Sequence, residues 1–236
     1  MPRFRVLALV FVASLLVWLV VALPASPFVQ RLDGTPVAGA PLTVNQVSGT
    51  LWSGRLGWRW QDWHGGLTWR LARDGWRPAL QAELRTEELL VSGQVSGGRD
   101  SFRLRQLDMS VPLQPFTRQL EQGSAEGRVQ GRIDSLRWRR GGEVEAAGSL
   151  RYSGGRVSWP PDGSAEVPPL EGDLFSEEQR ARLVVTAPDG LRVMDVSLAG
   201  DSVELRVFRA WPRLLGVSQG GRDEDVIFQV SERLLP

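Results

Sequence analysis

From Pro41 to Val230 apolar and polar residues alternate with a period of two, and that alternation constrains the fold more than any other feature of the chain. Successive side chains of an extended strand point to opposite faces, so a period of two marks strands with one apolar face. Val47, Gly49 and Leu51 share one face of a run. Leu56, Trp58 and Trp60 share a face of the next, and Leu67, Trp69 and Leu71 a face of the third. Gly54 and Gly65-Gly66 are expected at the tight reversals between these runs, where residues tolerant of positive φ are needed. Further alternating runs cover Leu80–Leu84, Leu89–Ser96, Phe102–Leu113, Gly127–Trp138, Glu143–Tyr152, Arg182–Thr186, Arg192–Ala199, Ser202–Phe208 and Val226–Val230.

Helical signals are weak by comparison. Pro115–Leu120 and Ala210–Leu215 each allow a turn or two, and both contain or adjoin a proline. Neither is long enough for a parallel crossover, which needs a dozen or more residues, so neighbouring strands must pair antiparallel. The expected fold class is all-β: an antiparallel meander forming a curved sheet, an open sandwich or a groove. Ser158 to Glu177 carries Pro160-Pro161, Pro168-Pro169 and several acids, and is expected as the main surface loop, kept out of a sheet by proline and charge.

Ahead of the β-rich part, Arg3 and Arg5 precede Val6–Leu23, a run without charge whose one polar residue is Ser14. A helix over that run would measure roughly 27 Å at 1.5 Å per residue, enough to cross a bilayer core. A cleaved signal peptide has a shorter apolar region ending at a small-x-small site. Here Leu23-Pro24-Ala25 has the wrong residues, and Ala38-Gly39-Ala40 lies too far on. The expectation is an uncleaved anchor: residues 1–5 cytoplasmic, 6–23 spanning the bilayer, 24–44 an extended stalk rich in proline, and 45–236 an exported β-rich domain.

The composition excludes several function classes. The chain has no cysteine, which removes disulfide frameworks, thiol catalysis and iron–sulfur ligation. Its 28 basic residues, all arginine, are interspersed with 27 acids to a net charge of +1, so nucleic acid is not an expected partner. One histidine, His64, stands in what reads as a turn, and adjacent carboxylates such as Glu87-Glu88, Glu177-Glu178 and Asp223-Glu224-Asp225 would point to opposite faces of a strand rather than work as acid and base. No nucleophile elbow, phosphate loop, H-E-x-x-H or calcium loop occurs. The chain is read as a non-enzyme with no catalytic residues, cofactor or metal site. Arg137, Arg139 and Arg140 around Trp138 read as a wet strand edge.

Tryptophan is concentrated in the first strands, at Trp52, Trp58, Trp60, Trp63, Trp69 and Trp76. Two readings stand side by side: aromatic pairs across strands that supply core area, or a face that meets the bilayer, a partner or an acyl chain. The candidate interaction face is Trp52, Trp58, Trp60 and Trp69.

Together, the basic N-terminus and single apolar run, Val47-Ser48-Gly49-Thr50-Leu51-Trp52-Ser53-Gly54 leading to Leu67-Thr68-Trp69-Arg70-Leu71, Gly131–Trp138, and Leu214-Leu215-Gly216 with Val226–Val230 resemble protein N of the bacterial type II secretion system. The resemblance implies an accessory subunit in the inner membrane, with its bulk in the periplasm, acting by contact with other secretion subunits. It brings no catalytic residues. The bilayer itself is the expected partner of Val6–Leu23. The alternative reading is a membrane-tethered protein whose curved sheet forms a groove for lipid acyl chains.

Overall fold

The computed structural model describes residues 22–30, 33–37, 40–61, 63–98, 100–114, 123–139, 142–217 and 220–233. The chain divides at Glu87/Glu88 into two compact units. The all-β expectation holds in both, with antiparallel pairing throughout.

The first unit carries α1 (Ser26–Val29), β1 (Pro36–Val37), β2 (Ala40–Gly49), β3 (Ser53–Trp60), β4 (Trp63–Asp74) and β5 (Arg77–Arg85), with the strands hydrogen-bonded in chain order. Alternation places Val44 opposite Trp58, Leu56 opposite Leu67, and Leu67 opposite Leu84, so one face of the sheet is apolar. Leu56 and Trp69 are buried on that face with Ala25, and Val29, Val44, Val47, Trp58, Leu67 and Leu80 close around them. Most of the expected membrane run, residues 6–21, lies outside the described residues. Among the described residues no helix is long and apolar enough to cross a membrane.

Residues 22–30 differ from the extended stalk expected over 24–44. The Ala25 amide donates to Gly49 O (3.2 Å), the Leu51 amide donates to Leu23 O (3.0 Å), and Pro24 bridges Thr50. Ala25 is fully buried, because a small side chain there lets the chain lie flat on the sheet while Val29 reaches the core. Proline content indicates extended backbone, but it does not say whether that backbone finds a surface to pair with.

The glycines of this unit also sit elsewhere than expected. Gly54 belongs to β3 and Gly65-Gly66 to β4, while the reversals fall at residues 50–52 and between β3 and β4, with Gln61 at φ +53°. A Cβ on Gly54 would stand 2.4 Å from Trp69 Cζ2, and one on Gly65 would stand 2.4 Å from Arg85 O. These positions need glycine for close approach, with an indole lying directly over the backbone.

The second unit comprises β6 (Leu90–Gly97), β7 (Ser101–Pro112), β8 (Ser124–Ala125), β9 (Arg128–Arg139), β10 (Val144–Tyr152), β11 (Gly155–Trp159), β12 (Gly163–Val167), β13 (Leu170–Glu177), β14 (Arg180–Thr186), β15 (Arg192–Ala199), β16 (Ser202–Phe208), α2 (Ala210–Leu214) and β17 (Val226–Arg233). Its main sheet has the order β6-β7-β9-β10-β13-β14-β15-β16-β17, and β12-β11-β8 form a separate small sheet. The meander is therefore interrupted at two points by strands that leave the main sheet.

The expectation of a surface loop over Ser158–Glu177 is overturned, since β12, β13 and the end of β11 lie there. Pro160-Pro161 occupies the turn between β11 and β12, and Pro168-Pro169 the link from β12 to β13. The prolines punctuate short strands rather than preventing them, and Val167, Leu170 and Gly172 are buried. Tyr152 and Val157 join Val167, Leu170, Ala187, Val193 and Ala210 in one core, closed by Trp211, Leu214 and Leu215. A second core gathers Val144, Ala146 and Ala181 with Leu136, Trp138, Leu174 and Leu198.

Candidate functional site

Trp58, Trp60 and Trp69 lie on one face of the first sheet, Trp69 opposite Gly54 and Trp60 opposite Trp63. Trp69 is 9% exposed and its Nε1–H donates to Thr50 O (3.1 Å), so it locks β4 to the turn between β2 and β3. Trp58 is half-buried in the same core, its Nε1 enclosed without a hydrogen-bond partner among the described residues. Trp52 and Trp60 are half-buried. Of the candidate interaction face, Trp69 and Trp58 pack inward. Among the described residues the tryptophan that stands fully in solvent is Trp76, at 103% exposure in the turn between β4 and β5. A Gly-Trp pair between two alternating runs is the sequence signal for it.

His64 is an exposed strand residue opposite Arg59, not a turn residue. The acidic doublets hold the fold: Glu177 pairs with Arg182, Asp223 accepts from Arg213 (2.7 Å), and Asp225 Oδ2 accepts the Arg222 amide (3.1 Å). Arg137 pairs with Glu145 at 3.3 Å, while the Trp138 Nε1–H donates to Gly200 O (2.7 Å) and its ring lies 5.7 Å from that of Phe102. Arg137 and Trp138 are thus tied into the second unit.

The second unit presents three surfaces. The first is a polar face of arginine–carboxylate pairs, among them Arg132–Asp108 (2.8 Å) and Arg151–Glu171 (2.7 Å), which line a shallow depression of about 580 Å³. Asp195 on this face is buried and takes Arg182 by both Nε and Nη2, with the shortest contact at 2.6 Å. These hydrogen bonds to Asp195, and the one to Glu177, hold the Arg182 guanidinium above its ordinary pKa. Both cations that line the depression are matched by a carboxylate, and Asp173 adds one carboxylate beyond these pairs.

The second surface is an apolar face on which Leu104, Leu136 and Ala146 follow one another in register, as do Met109, Gly131, Leu150 and Gly172, and Leu174, Leu183, Val196 and Leu205. Val144 and Val193 are its fully buried large side chains, whereas Val95 and Phe102 remain 41% and 40% exposed. The third surface is β17. Every residue of it is exposed, Val226, Ile227, Phe228 and Val230 by 41–52%, and among the described residues it pairs with β16 alone. Such an edge leaves main-chain donors and acceptors open to another strand.

Searches among characterised proteins and among solved structures return no match. A family model described as type II secretion system (T2SS), protein N, matches residues 40–213. That stretch opens with β2, closes inside α2 and takes in both units, leaving β17 outside it. The chain belongs to the family of type II secretion system protein N.

Proposed function

We propose that this chain is a non-enzymatic accessory component of the type II secretion machinery, anchored in the inner membrane by Val6–Leu23 with its N-terminus in the cytoplasm. Its two β-units then stand in the periplasm and act by contact with other secretion subunits. The family match over residues 40–213 carries this reading. The Arg3 and Arg5 flank of the apolar run supports the orientation, and the engagement of Glu177, Asp223 and Asp225 in ion pairs or backbone hydrogen bonds supports a scaffold rather than an acid–base site. Strand β17, an exposed edge eight residues long that carries Val226, Ile227, Phe228 and Val230, suits addition of a partner strand by main-chain hydrogen bonding.

One observation favours a second reading. The apolar face of the second unit keeps Val95 and Phe102 exposed, as a groove for acyl chains would. The two readings separate in one experiment. Deleting the gene, or replacing Val230 by proline to block the β17 edge, should abolish or strongly reduce the export of folded proteins to the medium. If export is unchanged and the lipid composition of the envelope shifts instead, the secretion reading fails and the lipid-groove reading replaces it.

A further inference from the structure

The first unit is held to the end of the apolar run by its backbone. Leu23 O and the Ala25 amide bond to Leu51 and Gly49, so residues 23–25 run antiparallel to residues 49–51. Going backward along the chain from Ala25 to Leu23 therefore moves in the direction in which β2 runs. Since β3 is antiparallel to β2 and β4 to β3, β4 advances in that same direction. The Leu71 amide donates to Trp52 O at 2.5 Å, which sets Leu71 level with the turn between β2 and β3. From there β4 continues to Asp74, and the Gly75-Trp76 turn lies roughly 13 Å farther on at 3.3 Å per residue.

At that tip the side chains are unlike those a water-facing turn requires. Gly75, at φ +62°, supplies the positive φ of a two-residue hairpin turn, and small polar residues satisfy the next position equally well. This chain places Trp76 there, fully exposed, with Leu71 48% exposed behind it and exposed Arg73 and Arg77 on the two strands. A large amphipathic ring beside cationic side chains matches the layer where hydrocarbon meets anionic headgroups. That layer is roughly 5–7 Å deep in each leaflet, less than the reach of the hairpin, so an inclined sheet still brings the tip to it.

We propose that the tip of the β4–β5 hairpin inserts Trp76 into the headgroup layer of the bilayer that tethers the chain, with Leu71 beneath it and Arg73 and Arg77 against anionic lipid. The first unit is then fixed to the membrane at two points, the apolar run and the hairpin, and its orientation is set rather than left to swing on a single attachment. This rests on the membrane-anchored reading, and the two fail separately in the following test.

The chain lacks cysteine, so a single introduced thiol reports one site. The full chain is reconstituted in vesicles of phosphatidylethanolamine and phosphatidylglycerol, with a fluorophore on Pro78→Cys near the tip or on His64→Cys at the far end of β4. Residue 64 and residue 78, the latter opposite Arg73, are separated by roughly 30 Å at strand rise. Alkaline extraction tests the tether, and lipids bearing a nitroxide on the headgroup test the tip. The expected result is a chain that resists extraction and is quenched at residue 78 about threefold more than at residue 64, a difference lost on adding Trp76→Ser. A chain that resists extraction but is quenched equally at both sites overturns the hairpin insertion and leaves the anchor standing. Quenching at residue 78 that is indifferent to Trp76→Ser also overturns it, and release by alkali overturns the anchor and the proposal together.

Discussion

Removing the Asp195 carboxylate tests how the polar face of the second unit is held. Asp195 is 4% exposed at its side chain and Arg182 24%, while Glu177, the other partner of that guanidinium, is 51% exposed. Breaking a fully buried pair from one side costs about 3–5 kcal/mol, since the remaining charge is left without compensation. Here Arg182 keeps Glu177 and some contact with water, which lowers the cost of Asp195→Ala to about 2–3 kcal/mol. The paired change Arg182→Met with Asp195→Leu keeps volume and removes both charges, so it should cost less than about 1 kcal/mol. Amide hydrogen exchange over β14 and β15 in the full chain reads the local opening free energy, and 2–3 kcal/mol corresponds to exchange faster by about 30- to 150-fold. If Asp195→Ala changes exchange in these strands less than about twofold, or if the paired change costs more than the single one, the pair is not what holds β14 to β15.

Two further outcomes follow from single contacts. The Tyr152 hydroxyl donates to Glu126 O (2.6 Å), and burial, then the charges of Glu126 and Glu166, push the phenol above its ordinary value of 10.0. The fold therefore keeps the proton longer than the unfolded chain does: this stability is complete below about pH 10 and is lost as pH rises through the higher folded value. Thermal melts of wild type and Tyr152→Phe should converge as pH rises above about 10, and parallel curves would count against the assignment. Gly54→Ala forces a Cβ to within 2.4 Å of the Trp69 ring and should cost about 1–3 kcal/mol, while Gly98→Ala, outside the positive-φ region and with nothing within 4 Å of its Cβ, should be nearly neutral. Urea unfolding followed by tryptophan fluorescence compares the two, and equal midpoints would refute the close-approach account.

The sequence carried the strands whose alternation is clear, β7 among them although a bulge at Gln106 (φ +50°) shifts its phase. Runs such as Phe102–Leu113 and Arg192–Ala199 reappear within a residue or two as β7 and β15, because one buried face imposes period two whatever the strand pairs with. Ser158–Glu177 failed for the complementary reason. Its strands are five to eight residues long between proline pairs, and local composition weighed more than the alternation of Val167, Leu170 and Gly172. Residues 22–30 were equally illegible, since their order comes from Gly49 and Leu51, more than twenty residues later in the chain.

What the sequence determined by itself was therefore a class and a set of faces: an all-β chain, an uncharged run of spanning length ahead of it, and tryptophans clustered in the first strands. Which tryptophan does what was decided by tertiary structure alone. Trp69 and Trp76 are seven residues apart and alike in the sequence, yet one is held over Gly54 with its Nε1–H on Thr50 O and the other stands in the open at a hairpin tip. Periodicity fixes the face on which a side chain emerges. Whether that face finds a glycine gap and an acceptor, or runs past the end of its neighbouring strand, depends on pairing register between distant residues, and no local pattern encodes it.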